Sequence, residues 1–152
     1  MCDDKKKKLQ ESGLVDWPVF SELVAMDEDE EGFSRGLFQT FVDQFEDTYR
    51  KFKENVDKTN LDGLSALGHY LKGSAAALGL VTIAEQCERI QNYGHRNNCD
   101  EFLIEGADAT HGDTYWISLV EDAMAKAQQS FNESNNALNA FFGETDASDE
   151  KD

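Results

Sequence analysis

A histidine with a lysine three positions later and a glycine on either side stands out near the middle of the chain, as Gly68, His69, Lys72 and Gly73. In a helix, Lys72 and Gly73 share the face of His69, because they follow it by three and four positions. A neutral imidazole is a nucleophile, a lysine offers a compact charge to a phosphate, and a glycine leaves room for a partner. The pattern predicts that His69 accepts a phosphoryl group, Lys72 offsets its charge, and both glycines give steric clearance. The alternative is a surface or core histidine without chemistry.

Gln91 is the second residue that the spacing brings toward His69. The helical patterns around these two residues are separated by a tight turn near Leu80, and such helices pack as an antiparallel hairpin. His69 and Gln91 are each eleven positions from Leu80. The Gln91 amide is therefore predicted to hydrogen-bond the imidazole and fix its tautomer. An ordinary solvated glutamine is the alternative.

Apolar residues at helical spacing predict the elements that position these groups. A short helix begins at the Asp16 cap and ends near Met26, and a capping box, Thr82 to Glu85, begins the helix of Gln91. Long helices are predicted for residues 33–56, 61–79, 82–94 and 113–142, with a polar loop at 97–112. The predicted fold is all-α, an antiparallel four-helix bundle with a short additional N-terminal helix.

The polar termini set the predicted domain limits. Residues 14–143 are predicted to form one domain, and residues 1–13 and 144–152 to be disordered tails, because they carry little apolar material. Four lysines, Lys5 to Lys8, lie in the first tail and are treated as a solvated terminus rather than a nuclear import signal.

Composition narrows the classes of partner. A net charge of −17 disfavours nucleic acid and anionic membrane surfaces. No apolar run of membrane-spanning length and no secretory signal occur, and the three cysteines lack a CxxC spacing, so an intracellular chain with reduced thiols is predicted. His95, Cys99 and His111 do not have the arrangement of a metal site, so no metal and no cofactor are predicted.

The first two helices carry more apolar residues than one buried stripe needs. This surplus predicts a partner-docking patch beside the histidine, whereas burial in a thick core is the alternative. The predicted docking residues are Val19, Leu23, Met26, Leu37, Phe38 and Tyr70.

The segment His-x-x-Lys-Gly-Ser-Ala from His69 resembles the signature of the histidine-containing phosphotransfer (HPt) family. Residues 14–95 are similar to the stand-alone fungal members of osmosensing multistep phosphorelays, where a glutamine in a Cys-Glu-Arg-Ile-Gln-Asn stretch accompanies the histidine. The resemblance implies transfer from the receiver domain of a hybrid sensor kinase to response regulators. It further implies control of a stress-activated MAP kinase cascade and of a nuclear transcription factor.

The same resemblance implies that the receivers bind the apolar surface of the first helices and that the chain is cytoplasmic and nuclear. The chain has no Mg²⁺ ligand cluster near His69, so Mg²⁺ is expected in the receiver. No nucleotide-binding loop or second catalytic base lies near His69, so no autonomous kinase activity is predicted. A monomer is predicted so that receivers can reach the histidine. Two alternatives stay open. One is a non-catalytic helical adaptor, and the other is a hydrolase with His69 as general base, for which the sequence places no partner group.

Overall fold

The structure is a computed structural model that describes residues 2–97 and 112–151, and within these residues every regular element is helical. In chain order the elements are α1 (Cys2–Glu11), α2 (Trp17–Ala25), a 3-10 turn (Met26–Glu28), α3 (Phe33–Asp57), α4 (Leu61–Ala77), α5 (Val81–Gly94) and α6 (Asp113–Lys151). Helices α3 to α6 form the bundle, and α1 and α2 pack at one end of it. The predicted all-α bundle is confirmed. Residues 98–111 of the predicted polar loop lie outside the described residues.

Aromatic pairs show how α6 runs through the bundle. Near the start of α6, the ring centroids of Tyr93 and Trp116 are 6.1 Å apart, and further along Phe45 stacks on Phe131 at 4.1 Å. Phe38, near the start of α3, also meets Phe142 further along α6, and Arg89, one turn before Tyr93, bonds to Asp122, so α6 lies antiparallel to both α3 and α5. The largest fully buried side chains are shared among α3 to α6 and the α4–α5 turn, and they include Trp116, Tyr93, Phe41, Phe45, Phe52, Leu64, Leu71, Leu80, Ile83, Ile90 and Leu138.

Residues 2–11, which lie in the predicted N-terminal tail, form α1 in this structure. A single apolar residue of this basic helix, Leu9, is only 4% exposed and lies against α6 beside Ala137 and Phe141. Mean composition predicted a tail, and it could not show that Leu9 falls on the helix face that meets α6. At the other end, α6 continues to Lys151 instead of ending near Phe142, and no proline follows to stop it.

Two local signals at helix starts have different outcomes. Asp16 is the N-cap of α2 and Pro18 lies in its first turn, as predicted. The predicted capping box at Thr82 is wrong, because α5 begins one residue earlier and Leu80 is its N-cap. Thr82 lies inside the first turn, where its buried hydroxyl has no hydrogen-bond partner among the described residues.

The start of α2 is attached to the turn between α4 and α5. The Asp16 backbone N–H donates to the Gly79 carbonyl at 2.6 Å. Gly79 has a φ of +75°, a left-handed conformation that favours glycine, and a Cβ there would come within 3.0 Å of the Asp16 carbonyl. This contact holds α2 at the end of the hairpin that carries His69.

Candidate functional site

His69 lies in the middle of α4, and its side chain is exposed. The opposite face of the helix is buried through Leu64 and Leu71, which have no exposed surface. No hydrogen bond to the imidazole forms within the described part of the chain, so both ring nitrogens face solvent or an incoming partner. A rigid helix thus presents an accessible nucleophile.

The hairpin of α4 and α5 has the register that the sequence predicted. A Cβ on Gly68 would lie 2.9 Å from the backbone nitrogen of Gln91 and 2.9 Å from the carbonyl oxygen of Cys87. Gln91 is therefore level with the turn that carries His69. These distances also correct the prediction for Gly68, which does not clear the approach of a partner. It is buried and lets the backbones of α4 and α5 touch.

Gln91 is half-buried beside the histidine, but its amide does not bond the imidazole in this structure. The side chain makes no hydrogen bond to the described residues, whereas its backbone carbonyl accepts one from the Ser65 hydroxyl at 2.9 Å. The predicted orienting bond between Gln91 and His69 thus stays a prediction.

Lys72 is paired with Glu88, a residue that the sequence analysis missed. The Lys72 Nζ atom donates to Glu88 Oε1 at 2.8 Å, and the two side chains are 38% and 35% exposed. The antiparallel register could have predicted this pair. Lys72 lies three positions after His69, and Glu88 lies three positions before Gln91, so the two are at the same level of the hairpin. The ammonium that was assigned to a phosphate is therefore held by a carboxylate in the unphosphorylated protein.

Gly73 occupies an open position on the His69 side of α4. It is exposed, and a Cβ built on it meets no other atom within 4 Å. Any larger side chain would project into solvent at the place where a partner must approach His69. This geometry is compatible with steric clearance at Gly73, in contrast to Gly68.

The six predicted docking residues fall into three levels of exposure. Met26 and Tyr70 are 50% and 49% exposed, and they are large apolar groups open to a partner. Val19, Leu23 and Leu37 are half-buried. Phe38 is wrong as a docking residue, since it is 3% exposed and packs against Phe142 at a centroid distance of 6.4 Å. Phe142 of α6 covers Phe38, and this contact with a distant helix could not be read from the helical pattern of α3.

Tyr70, which follows His69 in the chain, borders a groove of about 410 Å³ between α3 and α4. Its walls combine apolar Leu67 with charged and polar groups of α3. The lining residues are Asp43, Gln44, Asp47, Thr48, Lys51, Leu67 and Tyr70. Asp47 holds the ammonium of Lys51 and the guanidinium of Arg50, and these hydrogen bonds lower the pKa of its carboxyl. The groove extends the surface around Tyr70 that a protein partner can contact.

A buried arginine joins the helix of Gln91 to α6. The Arg89 side chain is 4% exposed and donates to Asp122 at 2.9 Å, to the Gln86 amide oxygen at 2.8 Å and to the Tyr93 hydroxyl at 3.1 Å. The bond from Arg89 lowers the pKa of the Asp122 carboxyl. This network fixes α5 against the bundle on the side away from α4.

The other candidate groups add no chemistry. Cys87 is a buried free thiol, and burial raises its pKa to about 12, which makes it unreactive. The described residues contain no group of three or more histidine, cysteine or acidic side chains that could hold a metal ion. In the same residues, no helix is both long enough and apolar enough to cross a membrane.

An exposed histidine on a helical hairpin within a four-helix bundle is the arrangement of a phosphotransfer domain, and sequence comparison agrees. The family model described as Hpt domain matches residues 36–130. The chain belongs to the Hpt domain family.

Among individual relatives, the chain is 43% identical over 183 aligned residues to the phosphorelay intermediate protein YPD1 of Candida albicans. The alignment covers 93% of this chain and 100% of that protein.

Solved structures agree with this assignment. The structure is similar to that of the Saccharomyces cerevisiae histidine phosphotransfer signaling protein Ypd1, crystallised with the receiver domain of its downstream response regulator Ssk1. The TM-score is 0.75 at 32% identity, over 87% of this chain and 96% of that chain. The phosphotransfer protein MtHPt2 from Medicago truncatula shares the fold, with a TM-score of 0.77 at 17% identity, over 99% of this chain and 91% of that one.

Proposed function

We propose that His69 is the phosphoacceptor of this chain, which is a phosphorelay intermediate between receiver domains. The observation that carries the assignment is the exposed imidazole of His69 on α4, within the part of the chain that the Hpt domain model matches. Among the described histidines, His95 is also exposed, but it lies just after the end of α5 and has no glycine or lysine on a shared helical face.

The transfer step follows from the exposed imidazole. The unprotonated ring nitrogen of His69 attacks the phosphorus atom of an aspartyl phosphate on the receiver. The nitrogen–phosphorus bond forms, the bond from phosphorus to the aspartyl oxygen breaks, and the receiver aspartate leaves as a carboxylate. The second ring nitrogen keeps its proton, and in this proposal the Gln91 side chain turns so that its amide oxygen accepts a hydrogen bond from it. The reverse sequence delivers the phosphoryl group to a second receiver.

Lys72 offsets the charge of the phosphoryl group in this proposal. A phosphoryl group on His69 lies on the same helical face, so the ammonium can turn from Glu88 toward it. Gly73 leaves the approach open, and Mg²⁺ is assigned to the receiver. Met26, Tyr70 and the half-buried Val19, Leu23 and Leu37 supply the surface on which the receivers dock.

The proposal extends to the physiological setting. The likeness to fungal YPD1 proteins supports a relay that begins at a hybrid sensor kinase and controls responses to osmotic and oxidative stress through a MAP kinase cascade. A monomer that works in the cytoplasm and the nucleus fits a carrier whose histidine must meet several receivers.

The test is phosphoryl transfer from a receiver domain that has been phosphorylated on aspartate. The wild type, His69→Gln and the matched control His95→Gln are incubated with the receiver, and protein-bound phosphate that is labile in acid and stable in base is followed by mass spectrometry. We expect the wild type and His95→Gln to gain one phosphoryl group, and His69→Gln to gain none while remaining folded. Transfer to His69→Gln at the wild-type rate would refute the assignment.

A further inference from the structure

The backbone of Gln91 is held by α4 through a hydrogen bond that the helix α5 does not supply. At the end of α5, the His95 N–H bonds to the carbonyl of Asn92 at 3.0 Å, so the Gln91 carbonyl lacks the usual donor four residues later. The Ser65 hydroxyl donates to this carbonyl at 2.9 Å. Ser65 is 3% exposed, so its hydroxyl has no access to solvent as an alternative.

Gly68 acts on the preceding peptide, at the nitrogen of Gln91. A Cβ built on Gly68 would lie only 2.9 Å from that nitrogen, so glycine is what allows α4 to approach Gln91 this closely. The carbonyl of Gln91 is thus bonded by Ser65, four positions before His69, and the close approach at its nitrogen is permitted by Gly68, one position before His69. The helix that carries the nucleophile also places the backbone of the residue opposite it.

Gln91 needs such a contact because it lies in the last turn of its helix. Helix α5 ends at Gly94, and terminal turns open more easily than helix interiors. A displaced Gln91 backbone would carry its amide away from the imidazole. A hydrogen bond that holds Gln91 in place can matter for the transfer rate, because displacements of about 1 Å in an active site can slow a reaction substantially.

We propose that Ser65 is a positioning residue for phosphotransfer, whose hydroxyl holds the Gln91 backbone level with His69. This inference rests on the proposed function, in which His69 accepts the phosphoryl group and Gln91 orients the imidazole. Ser65 touches no reacting atom and acts through Gln91.

A double-variant cycle tests the proposal. Ser65→Ala, Gln91→Ala and the combination are compared with the wild type in single-turnover transfer from a phosphorylated receiver. Ser74→Ala is the matched control, because Ser74 is a half-buried serine of α4 that makes no hydrogen bond to Gln91. We expect Ser65→Ala to lower the rate at saturating receiver about five-fold, with an unchanged half-saturating concentration. Ser65→Ala should slow the Gln91→Ala protein no further.

The outcomes separate the two proposals. Transfer by Ser65→Ala at the wild-type rate, or multiplied effects in the double variant, would overturn the role of Ser65 and leave His69 as acceptor. No acceptance of phosphate by the wild type would overturn the proposed function itself. Assays run below the unfolding transition of every variant, checked by circular dichroism, exclude loss of fold as the cause.

The ¹⁵N shifts of the His69 ring give a second readout, because Ser65→Ala should shift its tautomer ratio in the same direction as Gln91→Ala.

Discussion

The ammonium of Lys72 lies 2.8 Å from the carboxylate of Glu88, one helical turn beyond His69. Both side chains are more than a third exposed, so the pair contributes no more than about 1 kcal/mol. A phosphoryl group on His69 must compete with Glu88 for the same charge. The resting ion pair therefore opposes the reaction slightly and keeps Lys72 near the site.

Glu88→Gln should speed phosphoryl transfer to His69. Removing the competing carboxylate frees Lys72 for the phosphate, and about 1 kcal/mol corresponds to at most about a five-fold gain in rate. Single-turnover transfer from a phosphorylated receiver measures the change. Glu85→Gln is the control, because Glu85 is an exposed carboxylate of α5 that does not pair with Lys72. An equal gain in both variants would mean that only net charge matters.

Gly73 should separate activity from stability. Gly73→Ala is expected to raise the free energy of unfolding by up to about 1 kcal/mol, since glycine is a poor helix former and the added methyl meets open space. Gly73→Gln should keep that stability but slow transfer about ten-fold or more, because its side chain reaches into the approach to His69. Urea unfolding and single-turnover transfer are the measurements. Wild-type transfer by Gly73→Gln would show that this face is not approached.

Two aromatic residues should respond in opposite ways to truncation. Tyr70→Ala is expected to leave the free energy of unfolding within about 0.5 kcal/mol of the wild type and to weaken receiver binding about ten-fold, as loss of an exposed anchor does. Phe38→Ala removes a buried ring and should cost about 3–5 kcal/mol of stability. Calorimetric titration with a receiver and denaturant unfolding distinguish the two. Undiminished binding by Tyr70→Ala would remove Tyr70 from the docking surface.

The ion pair between Arg89 and Asp122 should contribute to the loss of stability as the pH is lowered. The bond from Arg89 lowers the pKa of Asp122 in the folded protein, so its stabilising effect is complete above the ordinary carboxyl range and is lost as the pH falls through the lowered value. Asp122→Asn should therefore lower the melting temperature at pH 7 and flatten its fall below about pH 4. Because Asp122 is half exposed, the effect at pH 7 is about 1 kcal/mol or less. Glu121→Gln, the neighbouring exposed carboxylate, should keep the wild-type slope, and an unchanged slope in Asp122→Asn would contradict the coupling.

The sequence was sufficient for features that depend on local periodicity. Helical spacing predicted α2 to α5 closely, and counting from the turn predicted the level of Gln91 against His69. The same count would have found Glu88 opposite Lys72. Contacts between distant segments could not be predicted in this way. Burial of Phe38 depends on Phe142, more than one hundred positions later, and burial of Leu9 depends on the same end of α6.

Gly68 shows why a residue type alone does not reveal its role. Both Gly68 and Gly73 lower helix propensity, and the sequence pattern predicted the same role for both, which is room for a partner. Only the position of α5 distinguishes them, since Gly68 faces the backbone of Gln91 and Gly73 faces open space.

The turn between α4 and α5 has a consequence for folding. Ala77 ends α4 and Val81 begins α5, so the helices that carry His69 and Gln91 are joined by three residues. Closing so short a loop takes well under a microsecond, and local contacts of this kind form early in helical proteins. We expect the hairpin of α4 and α5 to assemble before α6 docks, so that the acceptor histidine and its neighbours are in register before the bundle is complete.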